Sequence, residues 1–299
     1  MEEYGPRPFG YGDLEEKIKK IKGAEGPVKA FVFGKSVLGR SIYALGMGQL
    51  RQSALMVGAT HGLESITSAL LMMFAEELME ALENRTQICG VDPRRVQESR
   101  GLIIVPMLNP DGVEIAQHGA RGCLHLAKRI YDLCDGHFER WQANARGVDL
   151  NHNFDAGFQD GKALEPQNGI YGPGPTRFGG KAPFSEPETA ALRDYVQKQD
   201  FCNVYAFHSQ GEEIYCDYNG RIPEHGLEMA RILAKVSGYA VEKVEGLTSC
   251  RGFKDWFIEK YDRPGFTIEI GRGANPLPLE QFPEIYRKLR ELLILAATL

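Results

Sequence analysis

The feature that most constrains this chain is the run Leu102-Ile103-Ile104-Val105-Pro106-Met107-Leu108. Residues 101–108 are almost continuously apolar, the pattern of a central strand covered on both faces. Such a strand needs helices above and below it, and the rest of the sequence supplies them. Residues 11–22 read as a short polar helix, followed by strands at 28–33, 41–47 and 54–59. Apolar residues at helical spacing (Ile66, Leu70, Met73, Leu78, Leu82) predict a long helix over 65–82. After an irregular stretch from 118 to 183, helix is expected at 186–199, 224–237, 252–260 and 279–297. Strands are expected at 203–208, 213–218 and 265–270. Alternation without repeat or linker predicts one α/β domain, residues 1–299, with helices on both faces of a mixed sheet.

The 299 residues carry a net charge of −5, which argues against nucleic acid as the main partner. The N-terminus Met1-Glu2-Glu3-Tyr4 lacks the basic and apolar regions of a signal peptide, and no apolar run approaches a membrane span. Cys89, Cys123, Cys134, Cys202, Cys216 and Cys250 are scattered without a CxxC pair, the pattern of reduced thiols. The expected address is the cytoplasm, with no membrane partner.

Candidate site residues stand where strands end, the favoured ligand-binding edge of an open α/β sheet. His61 and Glu64 lie on a turn between the 54–59 strand and a helix, and can aim at one point. An HxxE pair alone is a weak signal. His208 strengthens it by ending the Val204-Tyr205-Ala206-Phe207 strand at the same rim, although a hydrogen-bonded strand-end histidine is the ordinary alternative. Two His and one Glu make an open catalytic zinc set, whereas calcium or magnesium would want more oxygens. His118, His125 and His137 lie in the irregular region and His225 starts a polar helix face, so they are poorer candidates. In Phe266-Thr267-Ile268-Glu269-Ile270, alternation separates Glu269 from the apolar face. A carboxylate in so apolar a strand needs compensation, and a general base beside a metal-bound water would have it.

The order and surroundings of these residues resemble the zinc metallocarboxypeptidase family. The signs are Ser36-Val37-Leu38-Gly39-Arg40-Ser41, Thr60-His61-Gly62-Leu63-Glu64, Leu108-Asn109-Pro110-Asp111-Gly112, Gly147-Val148-Asp149-Leu150-Asn151, Phe207-His208-Ser209 and Phe266-Thr267-Ile268-Glu269. They run in the family's order over nearly the whole chain. The resemblance implies a three-layer α/β/α domain around a mixed, eight-stranded sheet, and one zinc per chain. It assigns His61, Glu64 and His208 as ligands, Glu269 as base and Asp149 as the carboxylate that orients His61.

Departures from the family pattern bear on the substrate. Asn151 is followed by His152, where common carboxypeptidases carry an arginine that clamps a terminal carboxylate. Trp141 is followed by Gln142 in place of a carbonyl-polarising arginine, with Arg146 nearby as a substitute. The family's mobile tyrosine has no match in Glu245-Gly246-Leu247-Thr248-Ser249.

A narrower resemblance is to the bacterial branch that cuts γ-D-glutamyl-diaminopimelate bonds in cell-wall peptides. It rests on residues 141–154, on His208-Ser209-Gln210-Gly211-Glu212-Glu213-Ile214-Tyr215, on Gly252-Phe253-Lys254-Asp255-Trp256-Phe257 and on Gly271-Arg272-Gly273-Ala274-Asn275-Pro276-Leu277-Pro278. It implies a muropeptide-trimming enzyme whose Lys254 pairs with the side-chain carboxylate of diaminopimelate; a solvated helix lysine is the alternative. Asn151, His152, Gln142 and Arg146 are the other substrate-binding candidates. The competing functions are a carboxypeptidase or related deacylase on small C-terminal substrates, and an inactive zinc-binding protein that recognises muropeptides. Retention of Glu269 favours an enzyme, since binding alone needs no base.

Overall fold

The computed structural model describes residues 7–98, 100–243 and 251–299. Among these residues eight strands form one sheet: β1 (Val28–Lys35), β2 (Ser41–Met47), β3 (Ala54–Val57), β4 (Leu102–Val105), β5 (Asn203–His208), β6 (Glu213–Tyr215), β7 (Ala240–Glu242) and β8 (Gly265–Glu269). Their order is β1-β2-β4-β3-β5-β8-β6-β7. The central strands β4, β3, β5 and β8 are mutually parallel, while β2 and β6 join them antiparallel. The mixed sheet expected from the sequence is therefore present, and its parallel centre holds the most apolar segments.

Among the described residues ten α-helices accompany the sheet: α1 (Tyr11–Gly23), α2 (Ser65–Asn84), α3 (Arg94–Glu98), α4 (Pro110–His118), α5 (Ala127–Cys134), α6 (Phe158–Leu164), α7 (Pro187–Lys198), α8 (Gly226–Ser237), α9 (Phe253–Tyr261) and α10 (Phe282–Ala296). Alternation in the central strands divides the core. Met56, Tyr205, Phe207, Phe266 and Ile268 face one layer, with Leu70 and Phe74 of α2 and Leu289 and Leu293 of α10. Leu55, Val57, Val204 and Ala206 face the other, with Leu192 of α7 and Phe257 of α9. Fully burying one such side chain stabilises by about 1.5–3 kcal/mol, so continuous apolar strands in a three-layer stack follow from the composition of the segments.

Several predicted boundaries shift. The 54–59 and 101–108 strands end at Val57 and Val105, beyond which the carbonyls of Gly58 and Ala59 turn to the chain that follows β4. Gly58 N–H donates to Val105 O, Leu108 N–H to Gly58 O and Asn109 N–H to Ala59 O. The turn-like Asn109-Pro110-Asp111-Gly112 opens α4: Asn109 caps it by accepting from Gly112 N–H at 2.9 Å, and Pro110 occupies the first turn. The stretch 118–183 is not featureless. It contains α5 and α6, and its Cys123, Ile130, Cys134, Trp141, Ala143 and Ala145 form a small core with Ile115 of α4. Edge strand β7 was not expected; three residues are too few to show a pattern. Cys89, Cys123, Cys134, Cys202 and Cys216 are free thiols, while Cys250 and the segment 245–249 fall outside the described residues.

Candidate metal centre and cleft

His61 leaves the end of β3 and starts the turn Gly62–Glu64, and Glu64 precedes α2. His208 ends β5, which pairs with β3. Adjacent parallel strands thus deliver both imidazoles to one edge. His61 Nδ1 lies 2.9 Å from Glu64 Oε1 and 3.3 Å from His208 Nδ1, and His208 Nδ1 lies 3.1 Å from Glu64 Oε2. The two imidazole Nδ1 atoms and the two carboxylate oxygens of Glu64 converge, and these residues form the metal-competent His/Glu cluster among the described residues. A tetrahedral zinc with bonds of about 2.0–2.1 Å separates its donors by roughly 3.3 Å, the spacing of the two Nδ1 atoms, with a Glu64 oxygen beside each. Burial disfavours charge at His61, yet the carboxylates of Glu64 and Asp149 raise its imidazole well above the usual range. The pocket attracts positive charge, as a metal site does.

The surrounding hydrogen bonds explain the sequence motifs. Asp149, buried, places Oδ1 3.2 Å from His61 Nε2, leaving Nδ1 for the metal. Asn109 Nδ2 reaches the carbonyls of Thr60, Gln142 and Ala143, each at 3.1 Å, and so ties the His61 turn to the loop bearing Gln142. Gly62 is required there: a Cβ at this position would meet Gly112 O at 2.3 Å. Ser36 Oγ, Leu38 N–H and Arg40 Nη1 all donate to Asp111, so the Ser36–Ser41 motif anchors α4 and takes no part in the cleft. Asn275 Nδ2 donates to Glu64 Oε1 at 3.3 Å and to Ser209 O at 2.6 Å, a contact with the metal site to which the sequence reading assigned no role.

Glu269 pairs in register with His208 across β5 and β8 and with Glu213 across β8 and β6. Burial, reinforced by the charges of Glu64 and Glu213, pushes its carboxyl well above the ordinary range. It faces a cleft of about 770 Å³ that also holds His61, Glu64 and His208.

Of the substrate-binding candidates, Gln142, Asn151, His152 and Lys254 line this cleft. Gln142 Oε1 accepts from Thr176 Oγ1, and Asn151 Oδ1 accepts from Phe253 N–H at 3.4 Å. His152 is buried, and burial outweighs the pull of Asp149 to bring it down to about 4, with Arg251 acting in the same sense. Arg251 Nη2 lies 3.1 Å from His152 Nδ1 and can only donate, so the neutral ring carries its proton on Nε2. Lys254 is not a solvated helix lysine: it is 5 % exposed, with Nζ 2.5 Å from Asp255 Oδ1 and donating to Asp217 O. Arg146 does not line the cleft; its exposed guanidinium sits 3.5 Å from Glu186. Arginines that do line it, Arg140 and Arg177, were missed because they stand in irregular loops without a motif.

The chain belongs to the zinc carboxypeptidase family, whose model matches residues 15–291. It is a zinc metallopeptidase, with His61, Glu64 and His208 as the candidate metal site. Among relatives, it is 34% identical over 286 residues to the gamma-D-glutamyl-L-diamino acid endopeptidase 1 of Lysinibacillus sphaericus, covering 95% of this chain and 71% of that protein. The carboxypeptidase A of Helicoverpa armigera superposes with a TM-score of 0.73 at 19% identity, over 98% of this chain and 74% of the other. The murein-tripeptide amidase MpaA of Escherichia coli O157 does so at 0.55 and 23% identity, over 91% and 94%. The two structural likenesses establish the fold. No helix among the described residues is long and apolar enough to cross a membrane.

Proposed function

We infer that this protein hydrolyses the γ-D-glutamyl–diaminopimelate amide bond of peptidoglycan-derived peptides. The observation that carries this reading is His152: a neutral, buried imidazole stands where a terminal α-carboxylate would need a fixed cation. The 34% identity to an endopeptidase of that bond class supports it. Lys254 and Asp255 form a buried pair of opposite charges on the cleft wall. Diaminopimelate ends in both an ammonium and a carboxylate, and this pair matches that combination.

His61, Glu64 and His208 would hold the zinc, which would supply Lewis acidity for hydrolysis. Asp149 keeps His61 in the tautomer that leaves Nδ1 free. Glu269 takes the proton from the attacking water and returns it to the leaving nitrogen. A carboxyl raised by burial suits both transfers, because it accepts and releases a proton nearer neutrality than an exposed glutamate. We also place the protein in the cytoplasm, on the scattered free thiols; fractionation of cells carrying a tagged copy tests this.

The deciding experiment incubates the purified enzyme with muropeptides and ordinary C-terminal peptides, and identifies products by mass. Release of diaminopimelate or diaminopimelyl-alanine is expected. Faster cleavage of α-peptides would replace this reading with a carboxypeptidase.

A further inference from the structure

Among the described residues, three side chains with a fixed positive charge line the cleft: Arg140, Arg177 and Lys254. Lys254 is neutralised in place by Asp255. Among the described residues, neither the Arg140 nor the Arg177 guanidinium has a hydrogen bond or an ion pair. Both residues are solvent-exposed, so their guanidinium groups are available to an anionic ligand entering the cleft.

Their backbones, by contrast, are fixed. Arg177 N–H donates to Asp149 Oδ2 at 2.8 Å, and the other oxygen of that carboxylate contacts His61. At Arg177 φ is 65°, a left-handed conformation that a non-glycine residue adopts only when its surroundings hold it. Arg140 closes the turn Phe138–Arg140 just before the fully buried Trp141. The two segments meet at Gln142, whose N–H donates to Pro175 O and whose carbonyl accepts from Gly62 N–H. Both arginines therefore flank the Gly62–Leu63 side of the metal site. Lys254, on α9 against β8, belongs to a different wall.

We propose that Arg140 and Arg177 form a clamp for the free α-carboxylate of the γ-linked D-glutamyl residue, on the acyl side of the scissile bond. This rests on the γ-D-glutamyl reading and adds how that linkage is distinguished. In a γ-glutamyl bond the attacked carbonyl belongs to the side chain, so the α-carboxylate stays free close by. An ordinary α-peptide offers no anion there, its main chain continuing through a neutral amide. Guanidinium forks match a carboxylate in shape as well as charge.

The test compares two substrates that share the γ-bond and diaminopimelate: one with the free α-carboxylate, the other with it capped as the amide (γ-D-isoglutaminyl). The wild-type enzyme should prefer the carboxylate by about tenfold in kcat/KM, the scale of one charge-assisted contact. In Arg140→Gln and Arg177→Gln, checked for zinc content and circular dichroism, that preference should collapse towards one, mainly through KM. Added salt should narrow it in the wild type. Equal wild-type rates on both substrates overturn the clamp and leave the γ-D-glutamyl reading standing, as does a preference that survives in both variants. Cleavage of neither substrate defeats that reading, and the clamp with it.

Discussion

Glu269 lies directly beside His208 in the parallel pairing of β5 and β8, so neighbouring rungs of one ladder carry a metal ligand and the carboxylate proposed as base. Their separation is set by strand spacing rather than by loop conformation, and each can be removed without displacing the other.

The metal is expected first. The purified protein should hold one zinc per chain, and His61→Ala or His208→Ala should lose it with the fold intact. Metal analysis beside circular dichroism checks this; a fully loaded double variant would remove these histidines as ligands.

The base follows. Glu269→Gln should keep zinc and substrate affinity while kcat falls by roughly 10²–10⁴, the range for losing a general base. Steady-state kinetics decide, and near-normal turnover would mean that another group takes the proton.

Lys254 has two duties, so its replacement should have two effects. Lys254→Ala should raise KM for diaminopimelate substrates more than for lysine-containing analogues, which lack the second carboxylate. It should also destabilise the fold by about 3–5 kcal/mol, since Asp255 is left buried without its partner. Equal KM changes on both substrates would take Lys254 out of the recognition step.

The Gly62 position can be tested directly. Gly62→Ala puts a methyl against the Gly112 carbonyl, which must displace the turn between two metal ligands. Zinc affinity should fall roughly 10–100-fold, as when a ligand's supports are disturbed. Competition with a chelating dye measures it, and unchanged affinity would show that α4 can yield instead.

Stability should carry the signature of Glu188. This buried side chain accepts from Val37 N–H and Asn144 Nδ2, yet burial raises its carboxyl from 4.5 to about 7. The folded state therefore binds the proton more tightly than the unfolded chain. Its contribution is complete below about pH 4.5 and is lost as pH rises through about 7. Urea midpoints across that interval should decline less in Glu188→Gln than in the wild type; parallel curves would mean that Glu188 does not titrate there.

What could be read from the sequence alone was whatever is encoded locally. Strand periodicity, the apolar run before Pro106 and the His61, Glu64, His208 and Glu269 positions at strand ends depend on residues a few places apart, so fold class and metal chemistry were legible. Tertiary structure decided the rest. The Ser36 and Asn109 motifs became supports because hydrogen bonds between distant segments meet at Asp111 and at the Asn109 amide, which holds the carbonyls of Thr60, Gln142 and Ala143. Lys254 proved to be half of a buried ion pair, and Arg146 turned to Glu186 while Arg140 and Arg177 entered the cleft. Where a long cationic side chain lies depends on which carboxylates the fold brings within reach, and that is set by contacts far apart in the chain.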